Sequence, residues 1–303
     1  MVRGAALAAL CVGAFSFLLL AQSNDPETWP IVYQDDFEDP TSGWLTGETE
    51  YVSLAYVDGA YEIQVKDDWR IAWSRIPGDP VFLDFSIEVR LRFVEGEGEA
   101  GFVFRYINNT NFYCFTINSR REYGLWLFRE GTWQILINWT PFEVPNLQDE
   151  NRLLLVAQGD RFSFSLNGEP VVEFTDHNFR AAQVGLCAGT FEQPGIRVKF
   201  DHLVVREDPE ARALAEQAKN LFNQGEEAYR TWNLEEAIAN YQQALSVYQV
   251  LGWKEKEADC HLKLGDCWYL LSDFHRALEH NQGALEIFRG TGDLSLIHIS
   301  EPT

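Results

Sequence analysis

Alternation of apolar and polar residues with period two runs from Ile31 to Val205 and then gives way to helical spacing. No other feature constrains the chain as much, because a period-two stretch cannot sit as a helix, nor a helical stretch as a strand. The clearest strand is Phe85-Ser-Ile-Glu-Val-Arg-Leu-Arg-Phe-Val94, with Phe85, Ile87, Val89, Leu91 and Phe93 on one face. Arg161–Leu166 repeats the pattern, Asn167-Gly168 reads as a hairpin turn, and Val171–Phe174 returns. Asp58-Gly59, Glu130-Gly131 and Gly159-Asp160 mark further turns. Turns every 8–12 residues predict an antiparallel sandwich or jelly roll over residues 31–206 and argue against βαβ units.

After Val205 the composition changes. Asp208-Pro209-Glu210 reads as a helix start, with a capping carboxylate and Pro in the first turn. A period of 40 residues follows: Gly225 aligns with Gly265, Tyr229 with Tyr269, Ala237 with Ala277, Ala244-Leu245 with Ala284-Leu285, and Gly252 with Gly292. Asn233 with Glu236 resembles a capping box for the second helix of the first unit. The predicted class is mainly β then all-α: a jelly-roll β-sandwich, then an α-α repeat over residues 208–293.

Two end segments stand apart. In residues 1–23, Arg3 precedes an apolar run from Gly4 to Ala21, with small residues Ala21 and Ser23 beyond it. This predicts a cleaved export signal, with an uncleaved membrane anchor or a buried helix as alternatives. Either of the first two places the remainder outside the cytoplasm, touching a membrane only through that segment. Residues 294–303, LSLIHISEPT, resemble the translation of a sequencing-library adapter and break the helical pattern.

Charge excludes some partners. The chain has 24 basic and 46 acidic residues, a net charge of -22, and residues 25–206 alone hold 15 basic against 29 acidic. Nucleic acid and anionic membranes need a positive surface, so neither is an expected ligand.

Several segments together carry a family resemblance: Asp35-Asp-Phe37 with Ser42-Gly-Trp44, Gly101-Phe-Val-Phe-Arg-Tyr106, Asn111–Phe115, Tyr123-Gly-Leu-Trp126, Leu166-Asn-Gly168, Val184-Gly-Leu186 and Phe200-Asp201. In this order they resemble the concanavalin A-like lectin/glucanase superfamily, especially the laminin-G-like and 3-keto-disaccharide-hydrolase-like domains of bacteria. The 40-residue unit resembles the tetratricopeptide repeat. Departures are Ala228 and Asn281, where that repeat usually has aromatics, and Gln224 in place of Leu.

The lectin resemblance admits both enzymes and binders. Retaining glucanases of the superfamily carry Glu-x-Asp-x-x-Glu on one strand, and this chain has no such string. Glu95-Gly-Glu-Gly-Glu99 is the nearest carboxylate row and reads as a solvated hairpin. Gly-x-Ser-x-Gly and His-Glu-x-x-His are absent as well. A binding face is the alternative, since sugars stack on aromatic rings and hydrogen-bond to planar polar groups. Trp69, Arg70, Trp73, Arg105, Tyr106, Arg120, Tyr123 and Trp126 are the candidates, against a reading in which the rings fill the core. Arg105 shares parity with Gly101 and Val103, which predicts an open sheet face.

The resemblance also implies a structural calcium ion, with Asp35, Asp36 and Asp201 as candidate ligands; scattered sheet-edge acids are the other reading. Cys114 and Cys187 are expected either to bridge or to remain buried thiols. The repeat implies a protein partner in a groove lined by Lys219, Phe222, Glu226, Tyr229, Arg230, Asp259, Leu262, Asp266 and Tyr269. The expectation is thus a non-catalytic, exported scaffold: a glycan- or envelope-binding sandwich followed by a protein-binding repeat. A glycoside hydrolase and a purely protein-binding assembly factor are the alternatives.

Overall fold

The computed structural model describes residues 25–143 and 146–291. The expected signal or anchor (1–23) and the adapter-like tail (294–303) lie outside the described residues. Two antiparallel sheets form a sandwich, and four helices follow it.

The first sheet contains β1 (Ile31–Asp35), β2 (Gly47–Glu48), β3 (Val52–Tyr56), β4 (Tyr61–Val65), β6 (Phe85–Glu95), β11 (Asn151–Gln158), β12 (Arg161–Leu166), β13 (Glu169–Thr175) and β15 (Ile196–Glu207). Its order is β13-β12-β11-β6-β15-β4-β3-β2, and β1 also pairs with β15. β15 divides one edge between two partners. Ile196–Phe200 pairs with β4, and the stretch beyond Asp201 pairs with β1. His202, at φ 48°, marks the bulge that separates them.

The second sheet runs β10 (Thr132–Pro141), β9 (Glu122–Arg129), β8 (Asn111–Asn118), β7 (Glu99–Asn108), β14 (Gln183–Gly189) and β5 (Ile71–Arg75). The inner faces meet in one apolar core. Phe85, Ile87, Val89 and Leu91 of β6 all enter it, as their alternation predicts, and so do Phe104, Tyr113, Phe115, Phe162 and Phe164. Phe115 and Phe164 stack across it at 3.7 Å between ring centroids.

The helices are α1 (Pro209–Arg230), α2 (Leu234–Leu251), α3 (Lys254–Leu270) and α4 (Phe274–Thr291). Asp208 caps α1, its carboxylate accepting from the Glu210 and Ala211 amides at 2.8 and 3.4 Å. Asn233 departs from the expected box. Its amide donates to the Glu236 carboxylate at 2.6 Å and caps no backbone N–H. The 40-residue period appears in the backbone. In the α1–α2 turn, Trp232 has φ 61°, and the Trp232 and Asn233 amides donate to Tyr229 O and Ala228 O. In the α3–α4 turn, Ser272 has φ 61°, and the Ser272 and Asp273 amides donate to Tyr269 O and Trp268 O. Both atom pairs recur 40 positions on, so the two helices of each unit are joined by the same turn.

The sandwich and the helices are in contact. Leu83 and Ala181 join the helical core with Leu251 and Tyr248. Arg180 donates to Leu251 O at the end of α2 (3.0 Å), to Leu83 O (3.3 Å) and to Asp84. A larger cavity of about 640 Å³ separates the two regions elsewhere, between Pro80–Leu83 on one side and Lys219, Phe222 and Lys256 on the other.

Candidate binding cleft

The outer face of the six-stranded sheet is unusually apolar for an exposed sheet surface. Val103, Tyr106, Phe112, Cys114 and Cys187 are buried there, with Ile71, Trp73, Trp126 and Phe128 packed against them. At one end this carpet opens into a cleft of about 340 Å³. Trp69 and Phe191 form one wall, and Trp126, Trp133 and Trp139 lie toward β9 and β10. Trp69 is 68% exposed and Trp133 is 44% exposed, which leaves both rings presentable to a ligand.

Local geometry explains why the rings stand there. On β9, Gly124 takes the outward position before Trp126. A Cβ at Gly124 would lie 2.7 Å from Trp126 and 3.2 Å from Trp139, so the missing side chain leaves room for both indoles. These two rings meet edge to face at 5.2 Å, and Trp139 meets Phe191 in the same way at 5.5 Å. Trp69 has φ 47°, and its amide donates to Phe191 O at 2.9 Å, tying the two rim residues together.

Glu99 also lines the cleft. Its Oε2 accepts the Thr116 hydroxyl at 2.5 Å. A Cβ at Gly189 would come within 3.1 Å of Oε1, so glycine there spares this oxygen a tight contact. Burial pushes the Glu99 carboxyl up to about 7, partly offset by the Thr116 hydrogen bond. No Lys or Arg among the described residues lies within ion-pair distance of it.

The residues expected from the sequence are distributed unevenly. Trp69, Arg70 and Trp126 line the cleft. Arg70 is held by Asp67 at 3.0 Å and stacks 4.3 Å over Tyr51. Arg120 is at the rim, 5.1 Å over the Phe191 ring, and pairs with Glu192 at 3.1 Å and Glu97 at 3.7 Å. Trp73 and Tyr106 share the sheet face but pack around Phe112, outside the cleft lining.

Two expectations fail. Tyr123 faces the inner side, stacked on Phe115 and edge-on to Phe142, because it has the parity of Leu125 and not of Trp126. Arg105 is fully buried. Its φ is 48° and β7 gains one residue against β14 between Phe104 and Tyr106, so this bulge turns Arg105 off the face of Gly101 and Val103. Its guanidinium instead donates to Phe82 O at 3.1 Å and Gly159 O at 3.4 Å, with Asp84 at 4.0 Å.

Glu99, Trp133, Trp139 and Phe191 were missed. Glu99 is no solvated hairpin residue; it opens β7, with the same outward parity as Gly101 and Val103. Counting that parity back two positions would have found it.

The calcium expectation meets a different geometry. Asp35 spends its carboxylate on Trp44 Nε1 (3.0 Å), the Phe37 amide (2.8 Å) and Tyr33 (3.2 Å). Asp36 accepts from the Glu38 amide, and Asp201 from the His202 amide. Among the described residues no three His, Cys, Asp or Glu side chains gather to hold a metal.

Cys114 and Cys187 are free thiols with Sγ atoms 3.7 Å apart. Their strands, β8 and β14, flank β7 on opposite sides, and the two thiols meet across it without a bond. Contact with Cys187, followed by burial, pushes the Cys114 thiol up.

The helical candidates also separate. Lys219 and Phe222 line the cavity facing the sandwich, which closes one side of the expected groove. Glu226 ties three helices, bonding Tyr241 at 2.6 Å and Lys263 at 2.9 Å, and Lys263 lies 5.9 Å from the Tyr229 ring. Leu262 is not in the groove; it packs on Ala258, Ala284 and Phe288 between α3 and α4. Arg230 pairs with Glu227 and Asp259 with Lys256, while Asp266 and Tyr269 are exposed.

No family model and no curated protein matches the chain. Among solved structures, the carbohydrate-binding module CBM66 of Bacillus subtilis is 19% identical, with a TM-score of 0.44 over 55% of this chain and 96% of that one. A Bacillus subtilis protein with a galectin-like fold is 12% identical, with a TM-score of 0.46 over 58% of this chain and 96% of that one. The catalytic domain of an endo-1,3-beta-glucanase (laminarinase) from Thermotoga petrophila is 13% identical, with a TM-score of 0.41 over 60% of this chain and 98% of that one.

Proposed function

We propose that the cleft on the six-stranded sheet binds carbohydrate without cleaving it. In this reading the protein is an exported scaffold: a jelly-roll, concanavalin A-like sandwich followed by a tetratricopeptide-like repeat that takes a protein partner. One observation carries the sugar reading: Trp69, Trp126, Trp133, Trp139 and Phe191 surround an opening that also holds a carboxylate. Sugar rings present apolar C–H faces and hydroxyl edges, and this lining offers a match to both. A glycan array followed by calorimetry on the full chain tests it. Trp126→Ala and Trp133→Ala should each weaken binding by about tenfold or more, the loss of roughly one stacking contact. An array with no bound glycan, or binding indifferent to both substitutions, refutes the reading.

A hydrolase has one observation on its side. The raised Glu99 carboxyl suits a general acid. Hydrolysis of this type needs a second carboxylate about 5–5.5 Å or 6.5–9.5 Å away. Among the described lining residues Glu99 is the only acid. Reducing-sugar release that disappears in Glu99→Gln would establish the enzyme.

A further inference from the structure

We propose that the cleft selects glycans carrying a free protonated amine, oligosaccharides of 2-amino-2-deoxyhexose, with the ammonium seated on Glu99 and the sugar ring on the indoles. The inference rests on the carbohydrate reading and narrows it to a ligand class. It begins from a carboxylate without a counter-charge. Glu99 Oε2 holds the Thr116 hydroxyl, and no described residue donates to Oε1. The two arginines nearest the opening are committed elsewhere, Arg70 to Asp67 and Tyr51, Arg120 to Glu192 and Glu97. Glycine at 189 adds no side chain over Oε1, where a Cβ would lie at 3.1 Å.

The rings point to the same ligand. Indole faces are electron-rich and attract a cation within about 6 Å, most strongly where water is excluded. A carboxylate beside several such faces is therefore complementary to an ammonium group, and the charge-assisted hydrogen bond is stronger than one to a neutral hydroxyl. The surrounding charge acts in the same direction. Residues 25–206 hold 15 basic and 29 acidic residues, which repels uronate or phosphate glycans and attracts cationic ones. A neutral sugar would leave this carboxyl to be protonated instead. Its elevation to about 7 by burial indicates that the protein itself supplies little to stabilise the charge.

Calorimetry of the full chain just below neutral pH would compare three oligomers of equal length and linkage: fully deacetylated glucosamine, N-acetylglucosamine and glucose. The amine oligomer should bind about tenfold more tightly than the other two, the scale of one charge-assisted contact. Glu99→Gln should bring that ratio to about one. At about pH 5, where the amine already carries its proton and Glu99 is protonated, binding of the amine oligomer should also release a proton from Glu99, seen as an enthalpy that varies with the ionisation heat of the buffer. Thermal unfolding of Glu99→Gln checks that it folds. Proton release in the unsubstituted chain is a second readout that needs no variant.

Equal affinity for glucose and glucosamine oligomers would overturn the selectivity and leave the carbohydrate reading intact. So would a preference that survives Glu99→Gln, or array hits confined to neutral sugars. Tetramethylammonium binding as tightly as the amine oligomer would overturn it in favour of a simple cation cage. An array with no hit at all would remove both readings.

Discussion

A glycine supports an aromatic ring in both halves of this molecule, with opposite results. In the helices, a Cβ at Gly225 would come within 2.6 Å of Tyr241. That ring is fully buried, and its hydroxyl is tied to Glu226 at 2.6 Å. In the sandwich, Gly124 makes the same room for Trp126 and Trp139, yet the space beyond those rings is an open cleft. A ring seated on glycine is packing where a neighbouring element covers it and its polar end is satisfied. On the proposed reading it is a binding surface where the space beyond it stays open.

The comparison can be broken most severely in the inter-sheet core. Phe104 is fully buried and touches Tyr113, Phe162 and Phe164. Phe104→Ala should cost about 3–5 kcal/mol in denaturant unfolding. Trp133→Ala, on the exposed face, should cost less than about 1 kcal/mol while reducing ligand affinity. Equal costs would mean that the outer rings are core after all.

Next in size is the glycine pair. Gly225→Val should lower helical stability by about 1–3 kcal/mol through overpacking against Tyr241. Gly124→Ala should displace Trp126 and Trp139 and act on binding before stability. Parallel melts and titrations of the two variants would reverse the interpretation if Gly225→Val impaired glycan binding and Gly124→Ala did not.

A smaller effect separates the regions by pH. The Glu99 carboxyl stands at about 7 in the fold against an ordinary 4.5, so the fold favours its protonated form. Stability from this group is complete below about 4.5 and is lost as pH rises toward 7. Glu99→Gln should flatten that slope, raising the melting temperature relative to the unsubstituted chain at pH 7.5 but not at pH 4.5.

The helices should show the reverse trend. His261 and His280 meet with Nδ1 atoms 3.0 Å apart, and both are held below the ordinary 6.5, by burial first and, at His280, by its neighbour. Glu257 and Glu279 oppose the shift at His261, and Glu279 does so at His280. The fold favours neutral imidazoles, so helical stability should fall as pH drops below about 6.5. His280→Gln should weaken that loss, measured by circular dichroism melts at pH 5 and 7.5.

Period was legible in the sequence and irregularity was not. Phe85–Val94 and the 40-residue overlay identified a buried strand face and a repeating turn, because both depend on local spacing. Arg105 and Tyr123 were misplaced for different reasons. A bulge inverted the parity of Arg105, and a bulge is set by partner strands far away in sequence. Tyr123 lies on the parity of Leu125, which its own segment already displays. Glu99 looked like a hairpin acid because two glycines precede it, although its pairing with Gly189 decides its environment. Trp139 reaches the cleft from within the second of two register shifts in β10, which no count along the chain reveals.

The join between β15 and α1 is one residue long, and that residue serves both sides. The Asp208 amide extends the sandwich bonding to Asp84 O at 2.9 Å, while its carboxylate caps the helix. A pull on the helices therefore enters the sandwich along β15, which is bonded to β6 on one side and to β4 and β1 on the other. Hydrogen bonds loaded along the strand must break together and not one after another. Load on the helices would thus enter the nine-stranded sheet, behind the one that carries the cleft, through a mechanically stiff strand instead of a swivel.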